Sequence, residues 1–268
     1  MYPTLLRIGS IRIDTYSVIW FIALSLAIVW SIRRLDTYHL DEYEARKVMA
    51  VSFFCMLLGA RSFDYIVHWR TYMANPSFFL DLNRGGLHEF GAVSGAFLSA
   101  WAMCLLSRGK VSFLKLCDVA VIPAFLAIAV GRWGCFMNGC CIGLTSKAFC
   151  AVHFPRDRAG VLRHPVQVYY SVLALVIVLL LLWTERRTLK LQQKQERYYS
   201  VLAPLGIILY VLMRYAVVPF RDRPPLRWMI EHTMTYKGAT WALVFACVWL
   251  AYSLLRLKAY SSHKQNKS

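Results

Sequence analysis

Acidic side chains are scarce in this chain: 14 Asp and Glu stand against 31 Lys and Arg in 268 residues. The long apolar blocks carry almost no carboxylates and no paired interruptions, which argues against a plain transporter, whose intramembrane acids and broken helices mark its pathway. RNA-binding signatures and basic recognition helices are also missing, so the formal net charge of +17 does not point to nucleic acid. No internal repeat recurs at solenoid periods. Residues 1–14 lack a basic stretch followed by a short apolar run and an Ala-x-Ala site, so no cleaved leader is expected.

What the chain has instead is apolar length. Hydrophobic residues make up 58% and the mean hydropathy is +0.46. They gather in blocks at 15–32, 48–60, 90–106, 119–131, 166–183, 198–213 and 238–255. About 18 uncharged helical residues span a hydrocarbon core roughly 30 Å thick. The pattern predicts an all-α, polytopic membrane protein with about seven transmembrane helices, a single membrane domain over 1–258 and a basic tail over 259–268. The second and fourth blocks are short and end at Arg61 and Arg132. They cross if those charges snorkel or face a protein-lined cavity; otherwise they are interfacial or re-entrant.

The basic residues cluster beside block ends, at Arg33-Arg34, Arg46-Lys47, Arg186-Arg187 and Arg256 to Lys258. That is how topology signals and contacts with anionic headgroups are written. Loops after the first, third, fifth and seventh blocks hold 16 of the 31 Lys and Arg in roughly 55 residues, the denser side. The N-terminus is therefore expected outside and the C-terminus in the cytoplasm.

One segment stands apart: Gly131-Arg132-Trp133-Gly134-Cys135-Phe136-Met137-Asn138-Gly139-Cys140-Cys141-Ile142-Gly143. Glycines let backbone N–H groups approach a ligand closely, and an arginine among them can grip a phosphate in the headgroup layer with two bonds. The plainer alternative is an interfacial arginine that snorkels. Arg61, Arg163, Arg214, Arg221 and Arg223 fall on the same predicted side. So many cations at one depth need anions, either a phospholipid headgroup or the carboxylates of Asp64, Glu89 and Asp222.

These residues carry a resemblance through most of the chain. It runs from Tyr2-Pro3, Ile8-Gly9 and Ile13-Asp14-Thr15-Tyr16 to Gly59-Ala60-Arg61 and Gly85-Gly86-Leu87 with Gly91. It continues through Gly131, Arg132, Gly134, Phe136, Asn138 and Gly139, then Arg163-His164-Pro165-x-Gln167-x-Tyr169, and ends on Tyr210, Arg214 and Arg221. The ordered set resembles the prolipoprotein diacylglyceryl transferases of the bacterial inner membrane, in a divergent branch containing Gly-Cys-Cys. The chain departs from the family pattern at four places. The family's His-Gly-Gly reads Phe90-Gly91-Ala92, with His88 two residues earlier. Cys135 replaces a common Asn, Tyr170 an acidic residue and Val218 a Glu.

The resemblance implies transfer of a diacylglyceryl group from phosphatidylglycerol to the lipobox cysteine thiol in the signal-peptide region of prolipoproteins, with release of glycerol 1-phosphate. It needs no cofactor. The partners implied are phosphatidylglycerol, the prolipoprotein and membrane lipid, with no nucleic acid. The step displaces a phosphate ester at a glyceryl carbon, and only a thiolate attacks. Arg132, Arg214 and Arg221 suit the growing phosphate charge. Tyr210 and His88 join Arg132 and Arg214 as candidate catalytic residues, and His164 and Tyr16 are further candidate bases. Gly131, Gly134, Asn138, Gly139, Arg61, Arg163, His164, Gln167, Arg221 and Tyr16 are candidate substrate-binding residues with Arg132 and Arg214. The alternatives are a non-catalytic lipid-binding paralogue and a transferase that lipidates another nucleophile.

Of the eight cysteines, Cys55, Cys104 and Cys247 lie in apolar blocks and Cys117 just before one, where they pack as small hydrophobes. Cys135, Cys140, Cys141 and Cys150 share one outer segment, with His153 beyond. An oxidising compartment allows Cys140 or Cys141 to bond Cys150. Free packed thiols and direct participation in catalysis stay open. Zinc is the rival, but Cys-x4-Cys-Cys-x8-Cys-x2-His lacks paired Cys-x2-Cys spacing, so no metal is expected.

Overall fold

A computed structural model describes residues 4–8, 11–79, 88–155, 157–192, 198–222 and 237–265. Tyr2-Pro3, Gly9, Gly85-Gly86-Leu87, Arg223 and the last three residues of the basic tail lie outside the described residues. Among the described residues seven helices are long and apolar enough to cross a membrane. Large apolar side chains such as Phe21, Leu106 and Trp241 stay exposed along them. That surface suits hydrocarbon, where Leu and lipid tails are equally apolar. The protein is a multi-pass α-helical membrane protein.

The helices are α1 (Thr15–Arg34), α2 (Glu42–Val67), α3 (Trp69–Ala74), α4 (Glu89–Leu106), α5 (Phe113–Asn138), α6 (Val166–Gln192), α7 (Leu202–Val217) and α8 (Gly238–Gln265). Two short antiparallel pairs accompany them, β1 (Thr4–Ile8) with β2 (Ile11–Asp14), and β3 (Val152–His153) with β4 (Leu162–Arg163). The chain forms two compact units, Ile32–Leu116 and Met1–Ser31 with Cys117–Ser268.

The second and fourth apolar blocks are longer helices than their hydropathy predicts. α2 runs 26 residues, about 39 Å at 1.5 Å per residue, so it spans rather than re-enters. It starts at Asp41, whose carboxylate accepts from Glu44 N at 2.8 Å. It continues past Arg61 because the charges there are buried against partners. Arg61 lies over the Tyr72 ring, and Tyr72 donates to Asp64 at 2.6 Å. α4 packs on α2 through Gly59, Gly91 and Gly95: a Cβ on any of the three would strike the facing backbone. The Gly91-x-x-x-Gly95 pair thus brings two helix backbones into contact.

In the larger unit a carboxylate that hydropathy does not single out ties two helix starts. Asp118 of α5, 1% exposed, accepts from Ser200 Oγ at 2.6 Å, Tyr198 Oη at 2.7 Å, Ala203 N at 2.7 Å and Val201 N at 3.2 Å. It satisfies donors at the N-terminus of α7, where the helix dipole favours negative charge. Ser171 of α6 donates to Ala129 O of α5 at 2.7 Å. Gly206 of α7 makes room for Val121 of α5.

Candidate phosphate site and thiol cluster

Arg132 sits inside α5, which runs on to Asn138, and not at a helix end before a loop. The Gly131 and Gly134 N–H groups are therefore spent inside the helix, and these glycines face α1. A Cβ at Gly131 would strike the Trp20 ring, and one at Gly134 would crowd the Tyr16 carbonyl. They seat the Tyr16 end of α1 on α5. The guanidinium of Arg132 stacks 4.3 Å from the buried ring of Tyr170. The ring stands where the resemblance expects an acidic residue, and it offers the guanidinium a cation–π contact.

α5 ends because Asn138-Gly139 ends it. Gly139 adopts a φ of +65°, with Gly139 N bonded to Phe136 O and Cys140 N to Cys135 O, both at 3.1 Å. That reversal satisfies the last carbonyls and folds the chain back on its own final turn. Cys141 follows in the same left-handed region at φ 58°, an uncommon conformation for a residue with a Cβ. The sulfurs of Cys135, Cys140 and Cys141 then lie within 4.8 Å of one another. Arg221 Nη2 approaches Cys141 Sγ at 3.8 Å. Hydrogen bonds from the Cys135 and Cys140 thiols, followed by the Arg221 and Arg132 charges, hold the Cys141 thiol well below the usual range against the opposing effect of burial.

The segment after the thiols is clamped between two others. Gly143 bridges Arg221 and Thr145 bridges Arg163, with Leu144 N on Phe220 O at 2.9 Å and His164 N on Leu144 O at 3.1 Å. Gly143 is required there, because a Cβ would strike His164 and the Phe220 carbonyl. Arg163 donates to Asp157 at 2.7 Å, to Asp222 at 2.6 Å and to Gly143 O at 3.1 Å, and the Asp157 bond foremost keeps it charged. Its fork is thus engaged with carboxylates and backbone. His164 Nδ1 shares a hydrogen bond with Tyr169 Oη at 2.9 Å, and Tyr169 Oη meets Cys150 Sγ at 3.1 Å. Cys150 therefore pairs with a phenol, and no disulfide links it to Cys140 or Cys141.

Gln167, 1% exposed, donates from Nε2 to Cys140 O at 2.6 Å. Its Oε1 is buried without a hydrogen-bond partner among the described residues. Arg214 is buried on α7 with Nη1 3.4 Å from Tyr210 Oη. Beside Tyr169 and Phe220 an apolar groove of about 340 Å³ opens between α6 and α7, lined also by Val172, Leu173 and Ala216.

Two candidates belong to the other unit. Arg61 lies with Asp64, Tyr72 and His68, whose Nδ1 is 3.2 Å from Asp64 Oδ1. His88 caps α4, its Nδ1 accepting from Phe90 N at 3.3 Å while its ring packs on Phe63. Within the larger unit the fold brings together Tyr16, Arg132, Cys135, Cys140, Cys141, Gln167 and Arg221. The Tyr170 plate was missed, and no signal in one chain reveals it. The thiol cluster had a signal in Asn138-Gly139, a helix-ending pair that reverses the chain between Cys135 and Cys140.

Comparison with known proteins covers the same stretch. The family model described as prolipoprotein diacylglyceryl transferase matches residues 3–255. A phosphatidylglycerol–prolipoprotein diacylglyceryl transferase of Clostridium novyi (strain NT) is 32% identical over 230 residues, 82% of this chain and 84% of that protein. The protein of that name from Clostridium tetani is 27% identical over 227 residues, 84% of this chain and 87% of its own. One from Listeria innocua is 29% identical over 210 residues, 74% and 75% of the two chains.

Proposed function

We infer the reaction from one premise: the chain belongs to the prolipoprotein diacylglyceryl transferase family. It is a membrane transferase that moves a diacylglyceryl group from phosphatidylglycerol to a prolipoprotein cysteine. The acceptor is the lipobox thiol in the signal-peptide region. The thiolate sulfur forms a bond to the glyceryl carbon, the carbon–oxygen bond to phosphate breaks, and its electron pair leaves with glycerol 1-phosphate. The site lies at the outer face of the bacterial inner membrane, with the N-terminus outside and the C-terminus in the cytoplasm.

The observation that carries this reading is the pair of arginines, Arg132 on its Tyr170 plate and Arg221 beside Cys141, at the reversal that ends α5. Two guanidinium groups there oppose the charge that grows on a departing phosphate, an effect worth several kcal/mol when preorganised. Arg214, buried with Tyr210, adds a third cation on α7. The unpartnered Gln167 Oε1 suits a headgroup hydroxyl, and the groove between α6 and α7 suits an acyl chain. Asn138 and Gly139 shape the reversal. Arg163 and His164 hold the loop in register through Asp157, Asp222 and Tyr169, and Arg61 and His88 hold α2, α3 and α4.

Purified protein in detergent, given phosphatidylglycerol and a lipobox peptide, is expected to yield lipidated peptide and glycerol phosphate by mass spectrometry. A second reading, a lipid-binding paralogue without turnover, is favoured by Phe90, 54% exposed where the resemblance puts a histidine. It wins if phospholipid binds but neither the native protein nor Phe90→His makes product at any pH.

A further inference from the structure

Cys135, Cys140 and Cys141 are more than packed hydrophobes. Three sulfurs within 4.8 Å of one another are close to the spacing of metal thiolates. Zinc–sulfur bonds of about 2.3 Å set tetrahedral sulfurs roughly 3.8 Å apart, so side-chain rotation closes the remaining gap. The backbone is committed to this arrangement. The Gly139 reversal places Cys140 over the last turn of α5, and Cys141 takes a left-handed φ of 58°. Strain of that kind, about 1–3 kcal/mol, persists only where the surroundings impose it. The buried Gln167 amide also fastens the Cys140 carbonyl at 2.6 Å.

We propose that these three cysteines bind a divalent, zinc-like ion whose open fourth position receives the thiol that the enzyme alkylates. Among the described residues no further His, Cys, Asp or Glu joins the trio. Three protein ligands with one open position is the make-up of catalytic rather than structural zinc sites. Sequence spacing argues against zinc only because it looks for paired Cys-x2-Cys; the helix reversal supplies the proximity instead. Three thiolates and a dication leave one negative charge, and a fourth thiolate makes two. Arg221, 3.8 Å from Cys141 Sγ, and Arg132 lie where they offset it.

The chemistry rests on the transferase reading above. Coordination removes a thiol proton outright, so no side-chain base is required. The acceptor thiol binds the ion and releases its proton to water. Its sulfur lone pair then forms the bond to the glyceryl carbon, and the carbon–oxygen bond breaks toward phosphate. Glycerol 1-phosphate leaves, and the thioether, now neutral and a weak ligand, departs from the ion. No electron is gained or lost overall, so no oxidant or reductant enters.

The test uses the full chain, purified in detergent under reducing conditions, stripped with a chelator and titrated with Co2+ alone. One equivalent of Co2+ should give a thiolate-to-cobalt absorption and the visible bands of a tetrahedral ion, and Zn2+ should bleach both. A lipobox peptide should shift the visible bands, whereas its Cys→Ser version should not. Cys135→Ser, Cys140→Ser and Cys141→Ser should each weaken Co2+ binding more than about 100-fold, beyond what loss of an outer partner costs. Cys247→Ser should not, and helix content by circular dichroism confirms that each variant is folded. Folded, reduced protein without the thiolate–cobalt band overturns the site. So does a disulfide among the three that survives reduction. Transfer by the stripped protein at the loaded rate overturns the metal's role and leaves the transferase intact. A peptide-dependent cobalt spectrum without lipid transfer upholds the site and overturns the transferase reading.

Discussion

Arg132 and Asp118 illustrate two ways of holding a charge within one apolar helix. Arg132 is braced by the face of Tyr170, an aromatic ring. Asp118 is enclosed by four donors, two hydroxyls and two backbone N–H groups. Their substitutions should therefore fail differently. Arg132→Ala should remove transfer while membrane insertion continues. Arg132→Lys keeps a charge but loses the planar fork, and a loss of about 100-fold or more is expected, the usual cost of one transition-state donor. Wild-type rates in both variants would mean that Arg132 only snorkels. Asp118→Ala strands three buried donors and the part-buried Tyr198 hydroxyl and should cost about 3 kcal/mol or more, read as a lowered unfolding temperature in detergent. Kinetics of the folded fraction should stay normal.

At the scale of the element, small residues decide where helices meet. Gly59, Gly91 and Gly95 put the backbones of α2 and α4 in contact, and no side chain fits between them. Gly91→Val should push α4 away from α2 and lower thermal stability. Ala92→Val, one residue along the same helix, serves as the control with a smaller effect. Equal losses in the two variants would show that the contact is not specific to the glycine. Gly131 and Gly134 do the same for α1 on α5. A sequence of Gly, Arg and Gly suggests a phosphate-cradling loop, yet inside a continuous helix the same glycines are recesses for Trp20 and Tyr16. Their N–H groups already have partners one turn back.

For the molecule as a whole, the bilayer is the solvent and charge sets orientation. Reporter fusions after Arg187 and after Lys258 should register cytoplasm, and one near Arg158 should register the outer side. The reverse pattern would move the chemistry to the cytoplasmic face and require a different acceptor. Within the larger unit the ends that meet are the start of α1, the end of α5, the start of α6 and the end of α7. Gly134 is against Tyr16, Arg163 bonds to Gly143 O, and Leu144 N bonds to Phe220 O. That agrees with a chain that alternates direction from span to span.

Seven apolar blocks, a basic bias beside their ends and an ordered set of Gly, Arg and Asn positions were legible from residues alone. Each depends only on composition or on spacing along the chain, and hydrocarbon thickness translates block length into a span. The extents of α2 and α5 were not legible, because Arg61, Asp64 and Asp118 look like helix ends until their buried partners are known. Nor was the division of the arginines. Arg163 meets Asp157 and Asp222 across distances in sequence of 6 and 59 residues, while Arg132 meets a ring 38 residues away. The three sulfurs converge for the same reason. Cys-x4-Cys-Cys is silent about distance until Gly139 turns the chain through a conformation open to it because it has no side chain. Local rules determine which residues can be helical and apolar; which charges find partners is decided only when the helices pack.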